Sequence, residues 1–218
     1  HALFTGLLPE HFVQPLPRDG ESLSALESFL DRHARQIAAI LVEPLVQGAG
    51  GMVFHDAAVL RTLRTLADRY GILLIFDEIF TGFGRTGTMF ACQAANIVPD
   101  IVTLSKALTG GTLPLSATIA RATVFDAFWS DDPMAALMHG PTYMGNALGC
   151  AVANASLDLF ESHDRMAQVA TISGWLAAGL EPCRGLPGVV DVRTLGAIGV
   201  VQMDRINDLR AFKRLLVA

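Results

Sequence analysis

Ile72-Leu73-Leu74-Ile75-Phe76 runs without a polar side chain into Asp77, and Ile101-Val102-Thr103-Leu104 runs from Asp100 into Ser105-Lys106. Short apolar runs of this kind, bounded by turn or charged residues, read as strands of a covered sheet. Ile37-Ala38-Ala39-Ile40-Leu41-Val42 is another, expected to be buried on both faces and ended by Glu43-Pro44. Leu115 to Ala120 is a fourth. Between the strands ending at Val42 and Phe76 lies an amphipathic helix over Asp56 to Tyr70. Asp56 is its N-cap, Val59, Leu60, Leu63 and Leu66 its apolar stripe, and Gly71 its left-handed terminus. Strand, helix, strand, repeated, predicts right-handed βαβ units and a mainly parallel sheet flanked by helices, an α/β fold. Ligands on such sheets lie beyond the carboxyl ends of the strands. Glu43, Asp77 and Lys106 all fall at those ends.

A lysine and a carboxylate at neighbouring strand ends suit one chemistry well. The amine can condense with the aldehyde of pyridoxal 5′-phosphate (PLP), and the carboxylate can keep the pyridine nitrogen protonated so that the ring draws electrons. Lys106 sits between an apolar strand and Gly110-Gly111, with no charged neighbour close in sequence. A lysine chosen at random is a solvated surface charge, and on local sequence alone catalysis and surface are evenly matched; Asp77 tips the balance. Asp77-Glu78 could instead bind a metal as in nucleotide hydrolases, but the chain has no GxxxxGK[ST] loop to go with it. Glu78, pointing to the opposite face, is expected to be structural. The stretch Thr81-Gly82-Phe83-Gly84-Arg85-Thr86-Gly87 does not match GxGxxG, and its glycines are expected to let the backbone pass close to a cofactor. Arg85 reads equally as a salt-bridge partner or an anion contact. In His139-Gly140-Pro141-Thr142-Tyr143-Met144-Gly145-Asn146 a threonine hydroxyl and backbone N–H groups at a helix start would suit a phosphate; the plain alternative is a capped helix. His139 reads as a hydrogen-bonded structural histidine.

The chain's 218 residues suffice for one large domain or one and a half ordinary ones. Hydrophobic residues are 51% and charged residues 17%, enough for buried strands and a subunit interface. The net charge of −5, with no Lys/Arg stripe, argues against nucleic acid as a partner. Gly, Pro and polar residues interrupt every long uncharged stretch, so no membrane span is expected. Cys92, Cys150 and Cys183 are odd in number and lack any Cys/His ligand spacing, so reduced thiols in a cytoplasmic protein are expected, with no metal site. A first helix is predicted over Ser22 to Arg35. From Asn146 to Gly185 the pattern is helical, broken near Ser162-His163-Asp164. Strands follow at Val189 to Val192 and Gly199 to Gln202, then a helix over Asn207 to Val217. The change of pattern divides the chain into 1–185, part of a large cofactor-binding domain with a long inter-domain helix, and 186–218, the start of a small α+β domain.

Glu43-Pro44, Asp77 through Gly87, Ser105-Lys106 with Gly110-Gly111, and His139-Gly140-Pro141-Thr142 occur in the order found in class III aminotransferases of fold type I, which the chain resembles over nearly its whole length. The resemblance implies a PLP enzyme working as a homodimer. Lys106 would be the Schiff-base lysine and carry the proton; Asp77 would pair with the pyridinium; Ile79 would pack on a ring face. Pro141 and Thr142 would reach the phosphate of the neighbouring subunit, Gly140 would line the substrate pocket, and Arg85 would lie near the substrate end. Lys106 to Gly111, His139 to Asn146 and Leu195-Gly196-Ala197-Ile198-Gly199-Val200 are similar to the branch serving biotin synthesis. That similarity implies S-adenosylmethionine as amino donor and 8-amino-7-oxononanoate as acceptor.

The chain departs from the family at two points. Phe80 stands where many members carry a glutamine that bonds the pyridine hydroxyl, which argues against the ornithine and γ-aminobutyrate branches. Asn146-Ala147-Leu148-Gly149-Cys150 replaces the usual Asn-Pro-Leu-Ala-Cys. Family members are about twice as long, so the resemblance implies a fragment lacking N- and C-terminal parts, inactive by itself. Other readings are an ω-amino-acid transaminase, an aminomutase, a truncated interaction module, or a lysine-dependent lyase.

Overall fold

The computed structural model describes residues 11–204. Helix α1 (Gly20–His33) opens on Asp19, whose carboxylate accepts from the Ser22 backbone N–H at 2.8 Å while the Ser22 hydroxyl accepts from the Asp19 N–H. Its Leu26 and Leu30 are buried. Strand β1 (Ala39–Val42) follows, then a small antiparallel ribbon of β2 (Val46–Gln47) and β3 (Val53–Phe54). Helix α2 (Ala57–Tyr70) buries Val59, Leu60, Leu63 and Leu66, the stripe expected of it, and ends at Gly71 with φ +66°. Asp56 holds the N-cap position but makes no capping hydrogen bond with its side chain. Strand β4 (Leu73–Asp77) leads through the glycine-rich loop to α3 (Ala91–Ala95), β5 (Ile101–Leu104) and β6 (Ala117–Ala120).

These four strands form one sheet in the order β1-β4-β5-β6. β1, β4 and β5 are parallel, joined by crossings that carry α2 and α3. β6 is antiparallel to β5. The link between them holds only the short 3₁₀ turn Lys106–Thr109, with no helix to carry the chain back across the sheet. The sheet is mainly parallel, the fold-type-I architecture expected. Phe76, Leu74, Leu60 and Leu30 fill the core between sheet and helices.

The apolar run at Ile37 to Val42 is not buried on both faces. Val42 packs into the core, but Leu41 on the other face is 66% exposed. β1 is an edge strand among the described residues, and its second face has no covering layer there. Ile119 on β6 is exposed in the same way.

After the short α4 (Ala122–Asp126), two helices, α5 (Ala147–Ser162) and α6 (Arg165–Leu180), run as expected with the break at His163-Asp164. A hairpin of β7 (Val189–Leu195) and β8 (Ile198–Met203) follows, both strands longer than predicted, and it packs against α6. The helix predicted over Asn207 to Val217 lies outside the described residues. No described helix is long and apolar enough to cross a membrane.

The end of the sheet opposite the strand termini is tied by Asp100. Its carboxylate accepts from Arg64 at 2.7 Å, from the Leu74 N–H at 2.8 Å and from Arg121 at 3.3 Å. Burial raises its pKa, but the Leu74 N–H and the two guanidiniums outweigh that and hold it below the ordinary carboxylate value. Asp100→Ala is expected to lower stability by about 2 kcal/mol at pH 7, because it leaves the Leu74 N–H unpaired and Arg64 with Asp68 as its remaining carboxylate. A depressed carboxylate stabilises the fold above its unfolded pKa, and that contribution is lost as pH falls through the folded one. Urea denaturation should therefore show the gap between wild type and variant narrowing toward pH 3.

Candidate active site

β4 and β5 place Asp77 and Lys106 at the same end of the sheet. Asp77 is the last residue of β4 and lies in register with Thr103. One carboxylate oxygen, Oδ1, accepts from the Ile79 N–H at 3.1 Å and the Thr103 hydroxyl at 3.4 Å. Among the described residues Oδ2 has no hydrogen-bond partner. Lys106 follows β5 by two residues. Ser105 anchors the turn by donating to the Leu115 carbonyl at 2.8 Å, and Ser156 of α5 donates to the Ala107 carbonyl at 3.4 Å. Lys106 is exposed and forms no salt bridge among the described residues. Its ammonium nitrogen lies 5.3 Å from the centroid of the Phe80 ring.

Glu43 completes the row at the end of β1. Its Oε1 accepts from the Gly48 N–H at 3.3 Å, and the Gly48 α-carbon faces the Phe80 ring closely enough that an added Cβ would lie 3.5 Å from it. Glu78 points away from this row, as expected. It is fully buried and accepts from the Ala91 N–H at 2.7 Å and the Cys92 N–H at 3.0 Å, capping α3 from a distance. Burial pushes the Cys92 thiol, beside Glu78, up to about 11, so it stays protonated and unreactive at neutral pH.

In the glycine-rich loop the salt-bridge alternative for Arg85 is corrected. Gly82 lies against the Glu78 carbonyl, Gly84 against Val169 and Met166 of α6, and Gly87 against Gly196 of the hairpin turn. These glycines allow close packing within the protein. Arg85 forms no salt bridge among the described residues: it donates to the Ala197 carbonyl at 3.4 Å, while its own carbonyl accepts from the Ala197 N–H at 3.0 Å.

The loop His139 to Asn146 lies apart. α5 begins at Ala147 with Asn146 as its cap, so Thr142 belongs to an exposed turn before the helix, not to its first turn. Gly140 and Pro141 are exposed too, and no hydrogen bond joins any of the three to Asp77 or Lys106. The His139 ring is exposed and makes no hydrogen bond among the described residues, which overturns its reading as a bonded structural histidine.

The backbone supplies a signal that sequence reasoning missed. Leu45, Met52, Phe83 and Lys106 all have φ between +45° and +65°, and all four lie in the loops around the row. Left-handed backbone at bulky residues is costly and gathers at functional sites. Arg193 was also missed: it clamps the Gly48 loop from the hairpin, 141 residues from the carbonyl of Met52 to which its Nε donates at 3.0 Å.

Comparison with known proteins agrees with this geometry. Residues 11–216 match the family model described as aminotransferase class III. The chain is 49% identical over 212 residues to the adenosylmethionine-8-amino-7-oxononanoate aminotransferase of Mycobacterium leprae, a match that takes in 96% of this chain and 48% of that one. The crystal structure of the adenosylmethionine-8-amino-7-oxononanoate aminotransferase of Methanocaldococcus jannaschii superposes with a TM-score of 0.88 at 30% identity, over 97% of this chain and 49% of that one. An (S)-enantioselective omega-transaminase of Thermomicrobium roseum superposes with a TM-score of 0.81 at 31% identity, over 96% and 50%. The chain spans about half the length of the curated relatives it matches.

Proposed function

The chain belongs to the class III aminotransferases, and from that we propose that it serves the PLP-dependent transamination of 8-amino-7-oxononanoate to 7,8-diaminononanoate, with S-adenosylmethionine as amino donor. The observation that carries the reaction class is the pairing of Asp77 and Lys106 at the carboxyl ends of adjacent parallel strands. The substrates follow the names of the relatives, most of all the one 49% identical.

PLP fits the residues present. Asp77 keeps Oδ2 free for a pyridinium N–H while its other oxygen is held in place. Lys106 keeps its amine free of any carboxylate among the described residues. When bound, the cofactor supplies an aldehyde for the amine and a ring that draws electrons from the substrate carbon. Lys106 would hold the cofactor through Nζ, and the same Nζ would take and return the substrate proton. Asp77 keeps the ring nitrogen charged. Ile79, half-buried next to Asp77, presents its side chain to a ring face. Arg85 retains N–H donors beyond the one given to Ala197, for the substrate end.

In this reading Gly140, Pro141 and Thr142 act across a homodimer, Gly140 at the substrate and the other two at the phosphate. Their exposure in one protomer supports that placement. So do Trp129, Met134, Leu137, Met138, Tyr143 and Leu148, large apolar side chains left in solvent around the same loop. Residues 1–185 are proposed as part of the large domain and 186–218 as the start of the small one. Three free thiols support a reducing compartment, the cytoplasm.

The test offers the product of the complete reading frame carrying this chain either S-adenosylmethionine or alanine with 8-amino-7-oxononanoate. Diamine formed only with S-adenosylmethionine is expected; turnover with alanine alone would move the chain to the omega-transaminases. Asp77→Asn is expected to lower kcat roughly 10²-fold, since one well-placed charge partner is removed from a developing charge. Asparagine keeps the oxygen that Ile79 and Thr103 use, so melting should not change. A variant with unaltered kcat would rule out the pyridinium role.

A further inference from the structure

Phe80 is the departure from the family pattern that the proposed mechanism leaves without a purpose. Its ring lies beneath Lys106, 5.3 Å from the ammonium nitrogen. The ring packs against the main core and also faces Gly48, where an added Cβ would lie 3.5 Å from the ring and 3.4 Å from Glu43 Oε1. So the ring stands between the lysine and a glycine turn, in ordinary van der Waals reach of the glycine side.

That turn is held firmly. Within it the N–H groups of Gly51 and Met52 both donate to the Gly48 carbonyl, at 3.2 and 3.0 Å. From outside, Arg193 of β7 donates through Nε to the Met52 carbonyl at 3.0 Å and through Nη2 to the Gly51 carbonyl at 3.1 Å. Asp191 and Gln202 each accept from Arg193 Nη1 at 2.7 Å and fix the guanidinium in the hairpin. Only an arginine fork can grip two successive carbonyls and two side chains at once. The side chain is 17% exposed, and its bonds to the Met52 carbonyl and Asp191 are partly buried.

We propose that Phe80 is a positioning residue for Lys106, an aromatic platform that holds the amine at the strand end, and that Arg193 braces the platform through the Gly48–Met52 turn. The proposal rests on Lys106 being the reacting amine. A ring face attracts a cation without giving it a hydrogen bond, so the amine is steered but not tied up, as a carboxylate would tie it. A long, flexible side chain otherwise spreads over many rotamers, and holding it near one direction raises the fraction poised to react.

Lys106 and Lys213 are the only lysines in this chain, so each is an internal reference for the other. The experiment follows both by peptide mass mapping in the product of the complete reading frame. One reagent is acetic anhydride, small and indifferent to direction. The other is PLP with borohydride trapping, which favours an amine that meets the aldehyde held in the site over one that meets it in solution. In Phe80→Leu, PLP incorporation at Lys106 relative to Lys213 is expected to fall about three- to fivefold, the size of one exposed cation–aromatic contact, while acetylation at Lys106 rises. Phe80→Tyr should restore both toward wild type. Arg193→Lys should shift both in the direction of Phe80→Leu, and the double variant should add little. Phe80→Met, which removes the ring face at nearly the same volume, gives the same test should Phe80→Leu not fold.

An unchanged Lys106-to-Lys213 ratio with both reagents in Phe80→Leu and Phe80→Met overturns the platform. A Phe80 effect with no Arg193 effect overturns the brace. If wild-type Lys106 takes up no PLP while acetylation still responds to Phe80, the positioning holds and the aminotransferase reading fails.

Discussion

Lys106→Ala is expected to lower transamination by roughly 10⁴-fold, the upper end of what a positioned proton carrier contributes. The figure is large because one amine does two tasks, holding the cofactor and moving the proton, and no second lysine lies among the described residues. The fold should hardly respond. Lys106 is exposed and unpaired in any salt bridge there, so stability is expected to stay within about 0.5 kcal/mol. Alanine inherits the same left-handed backbone at φ +45°, adding no new strain. Lys106→Arg should be as inactive, since a guanidinium stays protonated and cannot condense. A small primary amine added to Lys106→Ala should restore part of the proton transfer. Steady-state rates, melting and borohydride trapping on the complete gene product check this, and an alanine variant within tenfold of wild type would remove Lys106 from the chemistry.

What could be read in advance was whatever is decided by near neighbours in sequence. The stripe of α2 depends on spacings of three and four residues, and the apolar runs before Asp77 and Lys106 mark their strands without outside help. Asp77 and Lys106 followed, because a strand's end is a local property and ligands collect at such ends. The direction of β6 was not legible, since strand composition says little about orientation; the connection decides it, and here the connection is a single 3₁₀ turn. Leu41 misled for a related reason. An apolar run tells what could be covered, not whether a covering layer lies over it among the residues at hand.

The contacts of the glycine-rich loop were further out of reach. Arg85 and Ala197 are 112 residues apart, and nothing near Arg85 signals a hairpin carbonyl as its partner. The left-handed backbone at Leu45, Met52, Phe83 and Lys106 is equally silent, because none of these residue types favours that conformation. Phe80 was visible as a departure from the family pattern, but its relation to Lys106 depends on Gly48 and Arg193, brought in from both sides. The reactive pair was therefore a local inference, and the apparatus that aims it was not.

Glu78→Ala is expected to lower stability by about 3 kcal/mol. Helix α3 begins at Ala91, preceded by Phe90, whose apolar side chain cannot cap it, so the Ala91 and Cys92 N–H groups depend on the distant Glu78 carboxylate. Removing it strands two buried donors, each worth about 1–3 kcal/mol, less what is recovered by no longer burying a charge. Glu78→Gln should lose less, since one acceptor oxygen survives while the new NH₂ faces a donor. Burial raises the Glu78 pKa, against the opposing pull of the two N–H groups and Thr81. A raised carboxylate pKa means the folded state keeps a proton the unfolded state has released. Its contribution is thus fullest below the unfolded value and declines as pH rises through the folded one. The deficit of Glu78→Gln should shrink as pH rises through the same range, read from urea midpoints. Cys92 offers an independent gauge. Its thiol is held at about 11 by burial and the neighbouring carboxylate, so it should resist iodoacetamide in wild type and react in Glu78→Ala. Because Glu78 also accepts from the Thr81 hydroxyl at 3.4 Å across the turn carrying Ile79 and Phe80, the alanine variant should loosen Lys106 too. A variant as stable as wild type, with Cys92 still protected, would show that α3 finds its cap elsewhere.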